Sequence, residues 1–170
     1  MPNLRGLPFE PGGDPSILIL GSFPSTLSLE AGAYYANPRN QFWKIMDFHF
    51  GIQEGAPYTE KLEGLKRNNI GLWDVIFSCE RKGAMDHAIR NAIPNDIPLF
   101  LHDHPMVHMV IANGITAGRY LEQFRSQWPS RVSLHILPST SPANARTPFP
   151  EKLRAWAVML DTINERDSQP

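Results

Sequence analysis

The sequence is poor in residues that bind metals or form disulfides. Cys79 is the only cysteine, so the chain cannot form an internal disulfide or supply the thiolates of a cysteine-ligated iron–sulfur cluster. His102 and His104 have no cysteine partner and no third ligand at helical spacing, which argues against a zinc site. We therefore expect no metal and no other cofactor.

The chain also lacks an excess of positive charge and any long apolar run. Its formal net charge is -1 at pH 7, so any contact with nucleic acid has to come from a local basic patch. No apolar run approaches the roughly 20 residues that cross a bilayer. The N-terminal residues do not show the charged-then-apolar pattern of a signal peptide. We expect a cytoplasmic monomer that does not span a membrane.

Three common nucleotide-binding and catalytic motifs are missing. The sequence has no G-x-G-x-x-G and no G-x-x-x-x-G-K-S/T, the loops that cradle phosphates in dinucleotide-binding and P-loop proteins. It also has no G-x-S-x-G elbow, which marks many serine hydrolases. These absences argue against all three classes.

What the sequence does contain is an alternation of short apolar runs with helical patterns. A length of 170 residues suits one domain. The apolar runs predict strands at 16–22, 69–76, 106–112 and 132–138. The helical patterns fall at 38–50, 59–68, 85–92, up to about 103, 116–128 and 150–164. This order predicts a single α/β domain with a central, mostly parallel four-stranded sheet and helices on both faces, plus an N-terminal extension (1–15) and a tail (165–170).

Polar loops follow all four predicted strands, where open parallel sheets bind their ligands. These loops are GSFPS at 21–25, Asp74 with the residues after it, the Asn-Gly pair at 113–114, and PSTSPANAR at 138–146. They offer hydroxyls, amides, one carboxylate and stiff prolines. Such a set suits a neutral ring that forms hydrogen bonds better than it suits a triphosphate.

Three stretches, GSFPS at 21–25, GAYYANPRNQFW at 32–43 and LPSTSPANAR at 137–146, resemble the uracil-DNA glycosylase superfamily. The closest resemblance is to its hypoxanthine (deoxyinosine) DNA glycosylase branch, which is related to the mismatch-specific uracil glycosylases. It implies a monofunctional DNA repair enzyme that uses water to hydrolyse the N-glycosidic bond of a deaminated base flipped out of DNA. Hypoxanthine is the expected base, with uracil or xanthine as alternatives.

One departure from the mismatch-specific relatives concerns the attacking water. Those relatives have an asparagine that positions the water where this chain has Phe23, so the resemblance assigns this role to an asparagine of the downstream run. Asn37 precedes Pro38 and is predicted to be the N-cap of the following helix. Asn40 would be the third helical residue, where its amide could hold water near the positive end of the helix dipole. Asn40 is the expected catalytic residue and Asn37 the alternative.

The expected base-binding residues are Tyr35, Phe23, Asp74, Ser22 and Asn113, and the resemblance implies this role for Tyr35 and Asp74. Ser22 could instead bind a phosphate or cap its loop, and Asn113 could belong to an ordinary Asn-Gly turn. Tyr35 would stack on the base, although it could simply fill the joint between loop and helix. Asp74 would read the hydrogen-bonding edge of the base, or else cap the next turn. Phe23 would close the pocket floor or pack under its own turn.

The last loop and nearby cations are the predicted DNA-binding residues. They are Ser139, Thr140, Ser141, Asn144, Arg146 and Arg39, with Arg81 and Lys82 as further phosphate contacts and Ser25 as the cap of its own loop. As a bare sequence this loop could equally be any surface loop. Two other functions stay open: a nucleoside or nucleotide hydrolase acting on free metabolites, and a non-enzymatic nucleic-acid binding module.

Overall fold

The structure is a computed structural model that describes residues 2–161. In chain order the elements are β1 (Asn3–Arg5), β2 (Ile17–Gly21), α1 (Thr26–Ala31), α2 (Phe42–Phe50), α3 (Tyr58–Arg67), β3 (Ile70–Asp74), β4 (Ile76–Arg81), β5 (Ile89–Pro94), α4 (Ile97–Asp103), β6 (Met109–Asn113), α5 (Ile115–Glu122), β7 (Ser133–Leu137) and α6 (Phe149–Trp156). Short 3-10 helices lie at Asp86–Ala88, Arg125–Gln127 and Ala157–Leu160. Within residues 2–161, no helix is both long enough and apolar enough to cross a membrane.

The central sheet has four parallel strands in the order β3-β2-β6-β7. Side chains of β2 alternate between two hydrophobic cores: Ile17 and Ile19 pack with α2, α3 and α6, whereas Leu18 and Leu20 pack with α4 and α5. Burial on both faces explains why these strands read as continuous apolar runs. The predicted α/β fold, with a parallel four-stranded sheet and helices on both faces, is confirmed.

A second sheet was not predicted. Strands β1, β4 and β5 form a three-stranded antiparallel sheet, in which Asn3–Arg5 of the predicted N-terminal extension pairs with β4. The helix predicted at 85–92 is wrong, because this segment contains a 3-10 turn and β5. The strand predicted at 69–76 corresponds to β3, and strand β4 was missed. Only Val75 separates the two strands, which belong to different sheets.

The start of α2 also differs from its prediction. The helix begins at Phe42, and residues 37–40 form a turn in which Asn40 N donates to Asn37 O at 2.9 Å. Asn37 is therefore not the N-cap, and Asn40 is not a helical residue. The short helix α1 was missed, but the predicted cap at Ser25 is confirmed because its Oγ accepts from Ser28 N at 3.1 Å. The end of the last predicted helix (162–164) and the tail (165–170) lie outside the described residues.

Candidate active site

The carboxyl ends of the four parallel strands open into one cleft of about 1010 Å³. The cleft is lined by every residue that the sequence assigned to catalysis or base binding: Asn37, Asn40, Tyr35, Phe23, Asp74, Ser22 and Asn113. Arg39, Ser139, Thr140, Ser141 and Asn144 also line it, and Arg146 does not. The fold therefore brings residues from five separate segments to one place.

Asn40 is half-buried and lies two residues before the start of α2, and its amide has a fixed orientation. Its Oδ1 accepts a hydrogen bond from Phe42 N at 2.9 Å, so the oxygen must face the helix start and the amide nitrogen must point away. A carbonyl oxygen has two lone pairs, and one of them remains available to a water molecule. The neighbouring Asn37 uses its own Oδ1 to accept from Arg39 N at 3.0 Å.

Tyr35 holds an unusual backbone conformation, with φ at 54° in the left-handed region. Residues other than glycine and asparagine rarely adopt this conformation, and strain of this kind concentrates at functional sites. The ring stacks on Phe42 with centroids 4.0 Å apart, and its hydroxyl accepts from Asn113 Nδ2 at 3.2 Å. Burial raises the pKa of the Tyr35 hydroxyl above its ordinary value, so the side chain is neutral.

Asn113, at the end of β6, joins Tyr35 to the last loop. Its Nδ2 also donates to Thr140 Oγ1 at 3.0 Å, and its Oδ1 accepts from Thr140 N at 3.0 Å. Both amide hydrogens are thus engaged by the protein. Thr140 is fully buried, so its side chain lies beneath the loop surface and braces the cleft wall.

Lys152 of α6 ties together two of the loops that form the cleft. Its Nζ donates to Gln41 Oε1 at 2.8 Å and to Asn144 O at 3.0 Å, although the residue is only 3% exposed. Burial lowers the pKa of this lysine. Gln41 N also donates to Thr140 O at 3.0 Å, so the turn that carries Asn40 and the loop after β7 are hydrogen-bonded to each other directly and through Lys152.

Asp74, at the end of β3, presents a buried carboxyl group to the cleft. The residue is 4% exposed, and its Oδ2 has no hydrogen-bond partner among residues 2–161. Burial and the nearby carboxylate of Asp86 raise its pKa from 3.8 to about 7, against the lowering effect of Arg81. A Cβ on Gly21 would lie 2.7 Å from Asp74 Oδ1, so any other residue at this position would displace the carboxyl group.

The hairpin between β4 and β5 forms a wall of the cleft that sequence reasoning missed. Its residues 84–87 line the cleft, and Asp86 Oδ1 accepts from Ser22 Oγ at 2.7 Å. The phosphate contact predicted for Arg81 is wrong: the side chain is 4% exposed and donates to Pro24 O and Gly83 O, with its guanidinium 5.1 Å from the ring centre of Phe23. Arg81 therefore holds the first loop in place.

The loop after β7 is braced by its own hydrogen bonds. Ser139 Oγ accepts from Ser141 N at 3.2 Å, and Asn144 Nδ2 donates to Ser139 O at 3.1 Å. Arg146, at its end, and Arg39, in the turn before α2, are both exposed. Within the described residues, no group of three or more His, Cys, Asp or Glu side chains is placed to hold a metal ion.

This geometry places the chain in the class of α/β proteins that bind ligands at the carboxyl ends of a parallel sheet. The family model of the uracil DNA glycosylase superfamily matches residues 8–160, and the chain belongs to that superfamily. It is similar to the hypoxanthine DNA glycosylase of Methanosarcina acetivorans (38% identity, covering 84% of this chain and 89% of the relative). It is also similar to the enzyme of the same name from Methanosarcina barkeri (34% identity, covering 83% and 87%).

The fold has a solved counterpart. A solution NMR structure from Methanosarcina acetivorans, determined as a candidate uracil DNA glycosylase, superposes with a TM-score of 0.79 at 34% identity and covers 92% of this chain and 96% of its own. With the family match and the named relatives, this makes the protein a DNA glycosylase, a hydrolase of N-glycosyl bonds.

Proposed function

We propose that this glycosylase removes hypoxanthine from DNA that contains deoxyinosine. The observation that carries the proposal is the placement of Asn40, Tyr35 and Asp74 around one cleft, in a chain whose two named relatives are hypoxanthine DNA glycosylases. Hypoxanthine has a carbonyl acceptor beside a ring N–H donor, and the polar groups of this cleft can form hydrogen bonds with both.

The target nucleotide has to leave the helix before it can react. The cleft lies at the ends of buried strands, where a base still stacked in duplex DNA cannot reach. Extrusion costs a few kcal/mol and is cheapest at a mispair. Phe42 covers one face of the Tyr35 ring, and the other face is the surface on which the extruded base stacks, for about 1 to 3 kcal/mol.

Water is the nucleophile in the proposed reaction. Asn40 Oδ1 accepts a hydrogen bond from the water, whose oxygen attacks C1′ of the sugar as the bond to the base breaks. The electron pair of that bond leaves with the base, and the water gives up a proton to solvent. Among the described residues that line the cleft there is no lysine to form a Schiff base, which supports a monofunctional enzyme.

The DNA backbone would cross the mouth of the cleft. The supporting features are the exposed Arg39 and the braced loop with Ser139, Ser141 and Asn144, all of which line the cleft. Arg146, at the end of this loop, would contact a phosphate outside the cleft. This local placement is compatible with a net charge of -1.

A labelled duplex with one deoxyinosine tests the proposal. We expect release of free hypoxanthine from this duplex and none from deoxyinosine nucleoside. Asn40→Ala should slow release by on the order of 10² or more while DNA binding persists, and Asn3→Ala, the same change on exposed β1, should have no effect.

Three other outcomes would contradict this account. Cleavage of the nucleoside would indicate a metabolite hydrolase, and binding without cleavage would indicate a binding module. Full activity in Asn40→Ala together with its loss in Asn37→Ala would transfer the role of holding water to Asn37.

A further inference from the structure

The carboxyl group of Asp74 is surrounded by charged and titratable side chains from three directions. Asp86 approaches from the 3-10 turn after β4 and Arg81 from β4 itself, while Tyr34 and Tyr35 approach from the segment before α2. The two tyrosines are neutral, because burial raises the pKa of each well above its ordinary value. The charges that act on Asp74 are thus one anion and one cation.

The charge of Arg81 lowers the pKa of Asp74, but the guanidinium forms no hydrogen bond with this carboxyl group. Arg81 directs two of its N–H groups at the carbonyl oxygens of Gly83 and Pro24, at 2.9 and 2.7 Å. Asp74 Oδ2 receives no hydrogen bond from any described residue. A buried carboxylate without donors is costly, whereas a neutral carboxylic acid carries its own donor. The rise of the Asp74 pKa to about 7 agrees with this.

We propose, building on the function proposed above, that Asp74 works as a neutral carboxylic acid that pairs with the lactam edge of the extruded base. The O–H of Asp74 donates to the carbonyl oxygen of the base, and its C=O accepts from the adjacent ring N–H, once the carboxyl group has turned to bring the buried Oδ2 to the cleft. Hypoxanthine, xanthine and uracil all have this edge, because deamination replaces an amino group by a carbonyl group.

This pairing also assists bond breaking. As the glycosidic bond breaks, its electron pair passes into the base and negative charge develops on the carbonyl oxygen. The hydrogen bond from Asp74 strengthens as that charge grows, so it stabilises the transition state more than the bound substrate. Asp74 keeps its proton, and the departing base anion takes one from water. An ionised Asp74 would instead repel the developing charge.

The pH dependence of single-turnover release from the inosine duplex tests the proposal. The wild-type rate should be constant below pH 6.5 and should fall above pH 7, towards tenfold for each further pH unit. Asp74→Asn keeps one donor and one acceptor and cannot ionise. We expect it to retain the rate at pH 6 within about tenfold and to lose the alkaline fall, whereas Asp74→Ala should be about 10- to 100-fold slower at pH 6.

Asp86→Asn identifies the group that titrates. The rate of this variant should still fall as pH rises, but the midpoint of the fall should lie at lower pH. The reason is that the Asp86 carboxylate, which raises the Asp74 pKa, is absent. A wild-type rate that rises with pH would overturn the proposal, because Asp74 would then act as an ionised acceptor. An unchanged alkaline fall in Asp74→Asn, or its loss in Asp86→Asn, would overturn it as well.

A measurement without DNA separates this proposal from the function on which it rests. The ¹³Cγ chemical shift of Asp74 in the free protein should titrate with a midpoint near 7, and a midpoint below 5 would overturn the neutral acid. A wild-type protein that releases no hypoxanthine would refute the proposed function, while this titration would still decide the protonation state of Asp74.

Discussion

Replacing Asp74 by asparagine should make the protein more stable, and more so as pH rises. The pKa of Asp74 is raised on folding from 3.8 to about 7, so its proton stabilises the folded state. That stabilisation is fully present below pH 3.8 and is lost as pH rises through 7. With a pKa of 3.8 in the unfolded chain and about 7 in the folded protein, the free energy of unfolding at pH 8.5 is roughly 4 kcal/mol lower than below pH 3.8. About 2 kcal/mol of this loss falls between pH 5.5 and pH 8.5.

Urea denaturation of wild type and Asp74→Asn at pH 5.5 and 8.5 measures this difference. The free energy of unfolding of the variant should exceed that of wild type by roughly 2 kcal/mol more at pH 8.5 than at pH 5.5. Asp103→Asn, at the exposed end of α4, controls for the loss of one negative charge and should not show this trend. An equal difference at the two pH values would refute a buried, titrating Asp74.

Three further substitutions test other parts of the cleft. Lys152→Met leaves Gln41 Oε1 and Asn144 O without their donor and should lower the cleavage rate by about tenfold, whereas Lys66→Met on the exposed face of α3 should not. Arg146→Ala should lower the slope of log affinity against log salt by about 0.9. It should also slow the cleavage of paired DNA more than that of single-stranded DNA. An equal loss of rate on the two substrates would restrict Arg146 to phosphate binding. Gly21→Ala places a methyl group 2.7 Å from Asp74 Oδ1, so we expect a loss of about 1 to 3 kcal/mol in urea denaturation together with lost activity, and wild-type behaviour would refute the close contact.

The parallel sheet could be predicted because the burial of its strands on both faces is visible in their own sequence. Residues such as Ile17–Gly21 are buried on both faces and therefore form an unbroken apolar run. The antiparallel sheet could not be predicted in this way. Strands β1 and β5 are largely exposed, Phe77 of β4 and Ile93 of β5 are open to solvent, and β1 pairs with a strand more than 70 residues away in the chain.

That the candidate site residues lie together could be predicted, and their local geometry could not. Parallel topology alone placed Asp74 and Asn113 at one edge of the sheet. The cap of α2 was assigned to Asn37 because an Asn-Pro pair often begins a helix, but Asn40 satisfies Phe42 N and the helix starts later. Lys152 had a usable signal that was overlooked: it precedes the buried Trp156 by four residues, which places a lysine on the buried face of α6.

The Lys152 contact also has a consequence for the order of folding. Lys152 and Gln41 are 111 residues apart in sequence, so the loop that this hydrogen bond closes spans most of the chain. Loop-closure entropy makes such long-range contacts slow to form. During synthesis, the turn that carries Asn40 leaves the ribosome long before α6. The enzyme should therefore acquire its cleavage activity only when the last helix docks.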